Sequence, residues 1–211
     1  MHLRELFLNE DDRSTAVFAF GRFNPPTIGH EKLIQKVQSM AKQVNGKGFV
    51  FLSHTGGTEK DPIDFTTKLS YLRQHFQSDK NLSFGDIRAN TIIKVMKVLE
   101  QEGRTRVIMI AGDDRVMQFQ KLLNQYNGQK TKAGNIEYTF DEIQVVSAGQ
   151  RDPDADDITG VSASKARELA MKGQEHEFSK MVMGGDRGKV LYDKIQDRFG
   201  KEVDENNKKL Y

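Results

Sequence analysis

The chain has 211 residues, enough to bury one substantial core and few for two full domains. Lysine and arginine number 32 against 30 acidic residues, so the net charge of +2 offers no broad attraction to nucleic acid or to a membrane surface, and any anion site has to be local. The absence of cysteine excludes a disulfide framework, a thiolate nucleophile and a cysteine zinc site, and is compatible with a reducing cytosol.

Residues 1–14 read as an N-terminal segment in which Leu3, Leu6 and Phe7 have helical spacing, suited to capping the fold or touching a neighbouring chain. Charge interrupts its apolar stretch, and no run of 18 apolar residues follows, so a cytoplasmic chain without membrane contact is expected. Ala16-Val17-Phe18-Ala19-Phe20, ending at Gly21, predicts a strand buried on both faces. After a proline-bearing loop, Leu33, Ile34, Val37, Met40 and Ala41 form one helical stripe. Gly48-Phe49-Val50-Phe51-Leu52 predicts a second strand, and residues 64–76 a helix that Asp64, Thr66 or Thr67 caps.

Ile92, Ile93, Val95, Met96 and Leu99 mark another helix, and Val107-Ile108-Met109-Ile110-Ala111 is the clearest buried strand. Gly112-Asp113-Asp114-Arg115 follows it, where a parallel sheet presents ligand-binding loops. A helix through Phe119 and Leu122, a polar loop over residues 124–135 and a strand at Ile143-Gln144-Val145-Val146-Ser147 come next. An acidic loop then leads to a helix opening near Ser162 or Ser164, and one or two helices broken at Gly184-Gly185 close the chain. The alternation of strands and helices predicts an α/β fold, a doubly wound parallel sheet whose active edge lies at the strand C-termini. The expected division is an N-terminal segment, 1–14, a catalytic domain, 15–173, and a helical extension, 174–211.

The loop Gly21-Arg22-Phe23-Asn24-Pro25-Pro26-Thr27-Ile28-Gly29-His30 carries the chemistry. Glycine and paired prolines shape a rigid turn, Gly29 leaves room for a close phosphate, and His30 falls in the first helical turn, where backbone N–H groups and the helix dipole favour an anion. This segment resembles the HxGH signature of the nucleotidyltransferase superfamily, with Thr27 in place of the first histidine. Val161-Ser162-Ala163-Ser164-Lys165-Ala166-Arg167 resembles the same family's ISSTxxR motif, with Ala163 in place of a serine. Helical spacing lets Ser164 and Arg167 converge on one ligand, whereas Lys165 points elsewhere.

The resemblance implies an enzyme with a Rossmann-like fold that joins a nucleoside triphosphate to a small phosphate-bearing acceptor, releasing pyrophosphate. It implies catalytic roles for His30, Thr27 and Arg167, and phosphate contacts for Gly21, Arg22, Phe23, Asn24, Gly29, Ser162, Ser164 and Lys165. By a softer likeness it implies substrate contacts for Lys68 and Asp113, whose plain readings are a solvated helix charge and a helix cap. Magnesium is expected to arrive on the triphosphate, with no metal site on the protein. The glycine-arginine-phenylalanine version of the loop is similar to archaeal-type nicotinamide-mononucleotide adenylyltransferases, which implies ATP; CTP with an alcohol phosphate is the alternative. The pattern is also similar to cytidylyltransferase-like proteins of tailed bacteriophages, which implies a homo-oligomer or a weakly catalytic particle component in the host cytoplasm or virion.

Overall fold

Five parallel strands form the sheet, in the order β3-β2-β1-β4-β5: β1 is Thr15–Gly21, β2 Lys47–Leu52, β3 Leu82–Phe84, β4 Arg106–Ala111 and β5 Glu142–Ser147. Among the described residues seven helices accompany them: α1 Ile28–Gln43, α2 Phe65–His75, α3 Ile92–Gln101, α4 Val116–Tyr126, α5 Ala163–Met171, α6 Glu175–Ser179 and α7 Lys189–Lys208. The computed structural model describes residues 14–149 and 162–208. The predicted N-terminal helix at Leu3, Leu6 and Phe7, the acidic loop and Val161 therefore lie outside the described residues.

By its contacts the chain divides into two units. The first holds β1, Lys32–Phe51 and the stretch from Ser78 to the end of β5; the second holds Arg22–Glu31, Leu52–Gln77 and the C-terminal segment from Ser162.

In the first unit, β4 runs beside β1 with Val17 opposite Ile108, and beside β5 with Met109 opposite Val145. Ala16, Phe18, Phe49, Phe51, Val107 and Met109 put one face of the sheet into a core closed by Val95, Met96, Val98 and Leu99 of α3 and Leu123 of α4. Val17 and Ala19 are equally buried, as the uninterrupted apolar run predicts for a strand covered on both sides. Each such valine, leucine, methionine or phenylalanine side chain contributes about 1.5–3 kcal/mol by leaving water.

Three details depart from the sequence reading. β3, three residues with only Leu82 and Phe84 buried, pairs with β2 and is too short for periodicity to reveal. α4 continues to Tyr126, into the stretch read as a loop; beyond it Asn127 replaces a ladder by exchanging two hydrogen bonds with the backbone of Phe140, 2.9 and 3.0 Å long. Asp113 caps nothing, because the 3-10 turn Asp113–Arg115 has Gly112 at its cap position and no side-chain cap bond.

Candidate active site

The chain leaves β1 at Gly21 and enters the second unit through a loop that carries a backbone conformation rare for an aromatic residue. Phe23 is fully buried at φ 49° and its ring packs 4.7 Å from that of His30. A left-handed non-glycine residue persists only where its surroundings over-determine it. Asn24 supplies part of that determination: 1% exposed, it donates from Nδ2 to the Ile63 carbonyl at 2.9 Å and accepts the Ile63 N–H at Oδ1 at 3.1 Å. Its amide is thereby engaged with backbone, and its own carbonyl is left to face a cation.

α1 begins at Ile28, which places Gly29 and His30 in its first turn as the sequence predicts. Thr27, 1% exposed, donates its backbone N–H to His30 Nδ1 at 3.1 Å, and its Oγ1 lies 2.8 Å from the same nitrogen. A nitrogen that accepts an N–H cannot carry a proton, so the neutral imidazole holds its hydrogen on Nε2 and is a donor there. The Thr27 hydroxyl therefore lies against the imidazole.

The second motif forms α5. Ser162 is its N-cap and accepts the N–H of Lys165 at 3.1 Å. Ser162→Ala should cost about 1 kcal/mol of stability, measured by denaturant unfolding, because one first-turn N–H loses its acceptor; an unchanged midpoint would show that the cap is worth nothing here. Arg167, one turn on from Ser164, donates from one nitrogen to Ser164 Oγ at 3.0 Å and from another to the Asn24 carbonyl at 2.5 Å. The two motifs, 143 residues apart at this contact, are thus joined by one guanidinium. Burial pulls Arg167 below its ordinary value, Arg22 adds to that and Asp61 opposes it, so a second arginine shares its field. Arg22 itself is exposed, 3.9 Å from Asp61. Lys165 is exposed and makes no contact with this group among those resolved for the described residues.

Lys68 is the largest surprise. It is 0% exposed, and its ammonium donates to the carbonyls of Arg22 at 2.9 Å, Ser53 at 3.1 Å and Thr55 at 2.9 Å. The plain reading of a solvated charge is therefore wrong: the side chain ties the loop after β1 to the loop after β2 from beneath. Burial brings its pKa down to about 8, against the pull of Asp61 and Asp64. Asp61 is buried, and its Oδ1 has no hydrogen-bond partner. Gly21 and the exposed Asp113 belong to the first unit.

A family model described as cytidylyltransferase-like matches residues 18–169, which is most of the chain and spans both motifs. The chain belongs to the cytidylyltransferase-like family. It is a nucleotidyltransferase with the Rossmann-like fold of that class. Two solved structures of Plasmodium falciparum nicotinic acid mononucleotide adenylyltransferase, complexed with APC and with NaAD, share the fold at TM-scores of 0.56 and 0.57, each at 12% identity. They cover 87% of this chain, which spans 94% and 95% of theirs. No curated protein matches the sequence.

Among the described residues of this cytidylyltransferase-like chain, no three histidine, aspartate or glutamate side chains converge as a metal site, and no helix is long and apolar enough to cross a membrane. Arginines, a threonine–histidine pair and helix N-termini suit a phosphate and not a bare cation.

Proposed function

We propose that the chain transfers AMP from ATP to the phosphate of a pyridine mononucleotide such as nicotinamide mononucleotide, releasing pyrophosphate. The observation that carries this reading is the Arg167 guanidinium bonded to the Asn24 carbonyl, which brings the cation of one motif onto the loop that bears His30. An oxygen of the acceptor phosphate attacks the α-phosphorus of ATP, the α–β bridging P–O bond breaks, and the electron pair leaves with pyrophosphate. Attack by an anionic phosphate requires no general base, so the protein's work is orientation and charge stabilisation.

In this reading the Nε2–H of neutral His30 donates to the reacting phosphate. Thr27 acts through it as a positioning residue. Arg22 and Arg167, with the positive ends of the α1 and α5 dipoles, take up the charge that moves onto pyrophosphate. Gly29 keeps the backbone of the first turn of α1 approachable. Magnesium enters with the triphosphate as part of the substrate. Lys68 and Asn24 shape the loop from behind.

The family's description favours a second reading, CTP with an alcohol phosphate. Pyrophosphate release from the full chain, incubated with each of the four triphosphates and with either a pyridine mononucleotide or an alcohol phosphate, separates the two. Release with ATP and the pyridine mononucleotide is expected. Release confined to CTP and the alcohol phosphate would overturn the choice of AMP, and nucleotide binding without release would mark a binding module.

Arg167→Ala should raise KM for the triphosphate and lower kcat/KM by roughly 10²-fold, since a charged hydrogen bond to a phosphate is lost along with the tie to Ser164 and Asn24. Unchanged kcat/KM would remove the residue from the site.

A further inference from the structure

The family match ends at residue 169, yet a segment beyond it is hydrogen-bonded to the loop that presents His30. Thr27 pairs with Val182 in an isolated antiparallel bridge. The Ile28 N–H donates to the Met181 carbonyl at 3.1 Å, and the Met183 N–H donates to the Pro26 carbonyl at 3.3 Å. These two bonds come from the neighbours of the bridged residues and not from Thr27 or Val182 themselves, which makes Thr27–Val182 a non-hydrogen-bonded pair. In such a pair each residue's own N–H points away from the partner strand. The Thr27 N–H points at His30 Nδ1.

We infer that residues 181–183 are a positioning clamp for catalysis: by holding Thr27 in this bridge they aim its N–H at the imidazole and keep the proton of His30 on Nε2. The inference rests on the nucleotidyl-transfer reading for its consequence, but the geometry it concerns exists in the protein alone.

The clamp is itself held tightly. The Tyr71 hydroxyl, on buried α2 packing, donates to the Met183 carbonyl. Burial raises that phenol to about 12, so the hydroxyl stays protonated as a donor through the neutral range. Val182 is 1% exposed, and a methyl group added at Gly188 would meet its Cγ2 at 2.3 Å. Valine is stiff at χ1, so it cannot swing away from such a contact without moving its backbone. Gly184, where the chain turns away from the clamp, has φ 74°, and a methyl group there would stand 3.2 Å from the Tyr71 hydroxyl and 3.3 Å from His75 Nδ1. Gly184, read from sequence as part of a simple helix break, therefore lets this segment lie close against α2.

Two variants test the clamp. Gly188→Ala pushes Val182 and with it the bridge, and Tyr71→Phe, the milder change, removes one hydrogen bond while keeping the ring. The tautomer of His30 is read by ¹⁵N NMR of the imidazole in the ligand-free protein, and kcat and KM are measured beside it. In wild type the Nε2–H form should dominate. Both variants should shift population toward the Nδ1–H form, with kcat falling roughly tenfold to 10²-fold for a displacement of this order and KM changing far less. Thr27→Val should resemble the clamp variants in part, since it keeps the N–H and loses the hydroxyl. Wild-type tautomer and turnover in folded Tyr71→Phe and Gly188→Ala would overturn the clamp. If Gly188→Ala does not fold, Tyr71→Phe decides alone. A wild-type chain that shows the Nε2–H form but turns over no substrate would defeat the function and leave the clamp standing.

Discussion

His30→Ala is expected to lower kcat for nucleotidyl transfer by about 10²-fold or more while the protein keeps its fold. The size follows from where the donor sits. His30 lies in the first turn of α1, where the helix dipole already favours an anion, and its ring is fixed from two sides by Thr27 at Nδ1 and by the ring of Phe23. A donor held in place before the reaction stabilises developing charge without reorganising, which is why its loss reads on kcat more than on KM. His30→Gln is the sharper control, because a glutamine amide nitrogen can reach the region of Nε2 and still donate, so it should recover part of the loss. Steady-state kinetics with ATP and a pyridine mononucleotide, alongside thermal melts of each variant, make the measurement. An alanine variant turning over at the wild-type rate would remove the residue from the mechanism.

Lys68→Met should be the most damaging substitution to stability. The ammonium is the shared donor for three carbonyls, those of Arg22, Ser53 and Thr55. Methionine fills the space of the stem but satisfies none of them, and a buried acceptor without a partner costs about 1–3 kcal/mol. A total loss on the order of 3 kcal/mol, equivalent to a melting temperature lower by roughly 10 °C, is expected. Lys68→Arg should not rescue it, because a planar fork of five donors does not converge on three oxygens around one point. Since Arg22 and Ser53 flank the two loops that shape the site, kcat should fall as well.

The buried lysine also carries a pH signature of defined sign. Its folded pKa of about 8 lies below the ordinary 10.5, so between those values the unfolded chain binds a proton that the folded chain has released. Stability from this group therefore rises with pH across that window, and below pH 8 the cost of the buried charge is fully present. The difference in unfolding free energy between wild type and Lys68→Met should widen from pH 8 toward 10.5. A difference that stays flat would show that the three carbonyls hold the proton on the ammonium throughout.

Apolar periodicity located β1, β2, β4, β5 and the helices α1 to α4, since a buried strand or an amphipathic helix writes its burial into neighbouring residues. The glycine-proline loop ending at His30 and the serine-led α5 were equally legible, because turn and cap chemistry is local. Ser164 and Arg167, which helical spacing places on one face, are hydrogen-bonded to each other. What could not be read were the contacts between segments far apart in the chain. Nothing local distinguishes Lys68, buried under two loops, from a lysine in water, or shows that Asn24 serves the backbone of Ile63. The clamp at Met181, Val182 and Met183 is the clearest case: it works through backbone N–H and C=O groups, which every residue possesses, so side-chain identity leaves no trace of it until the chain has folded.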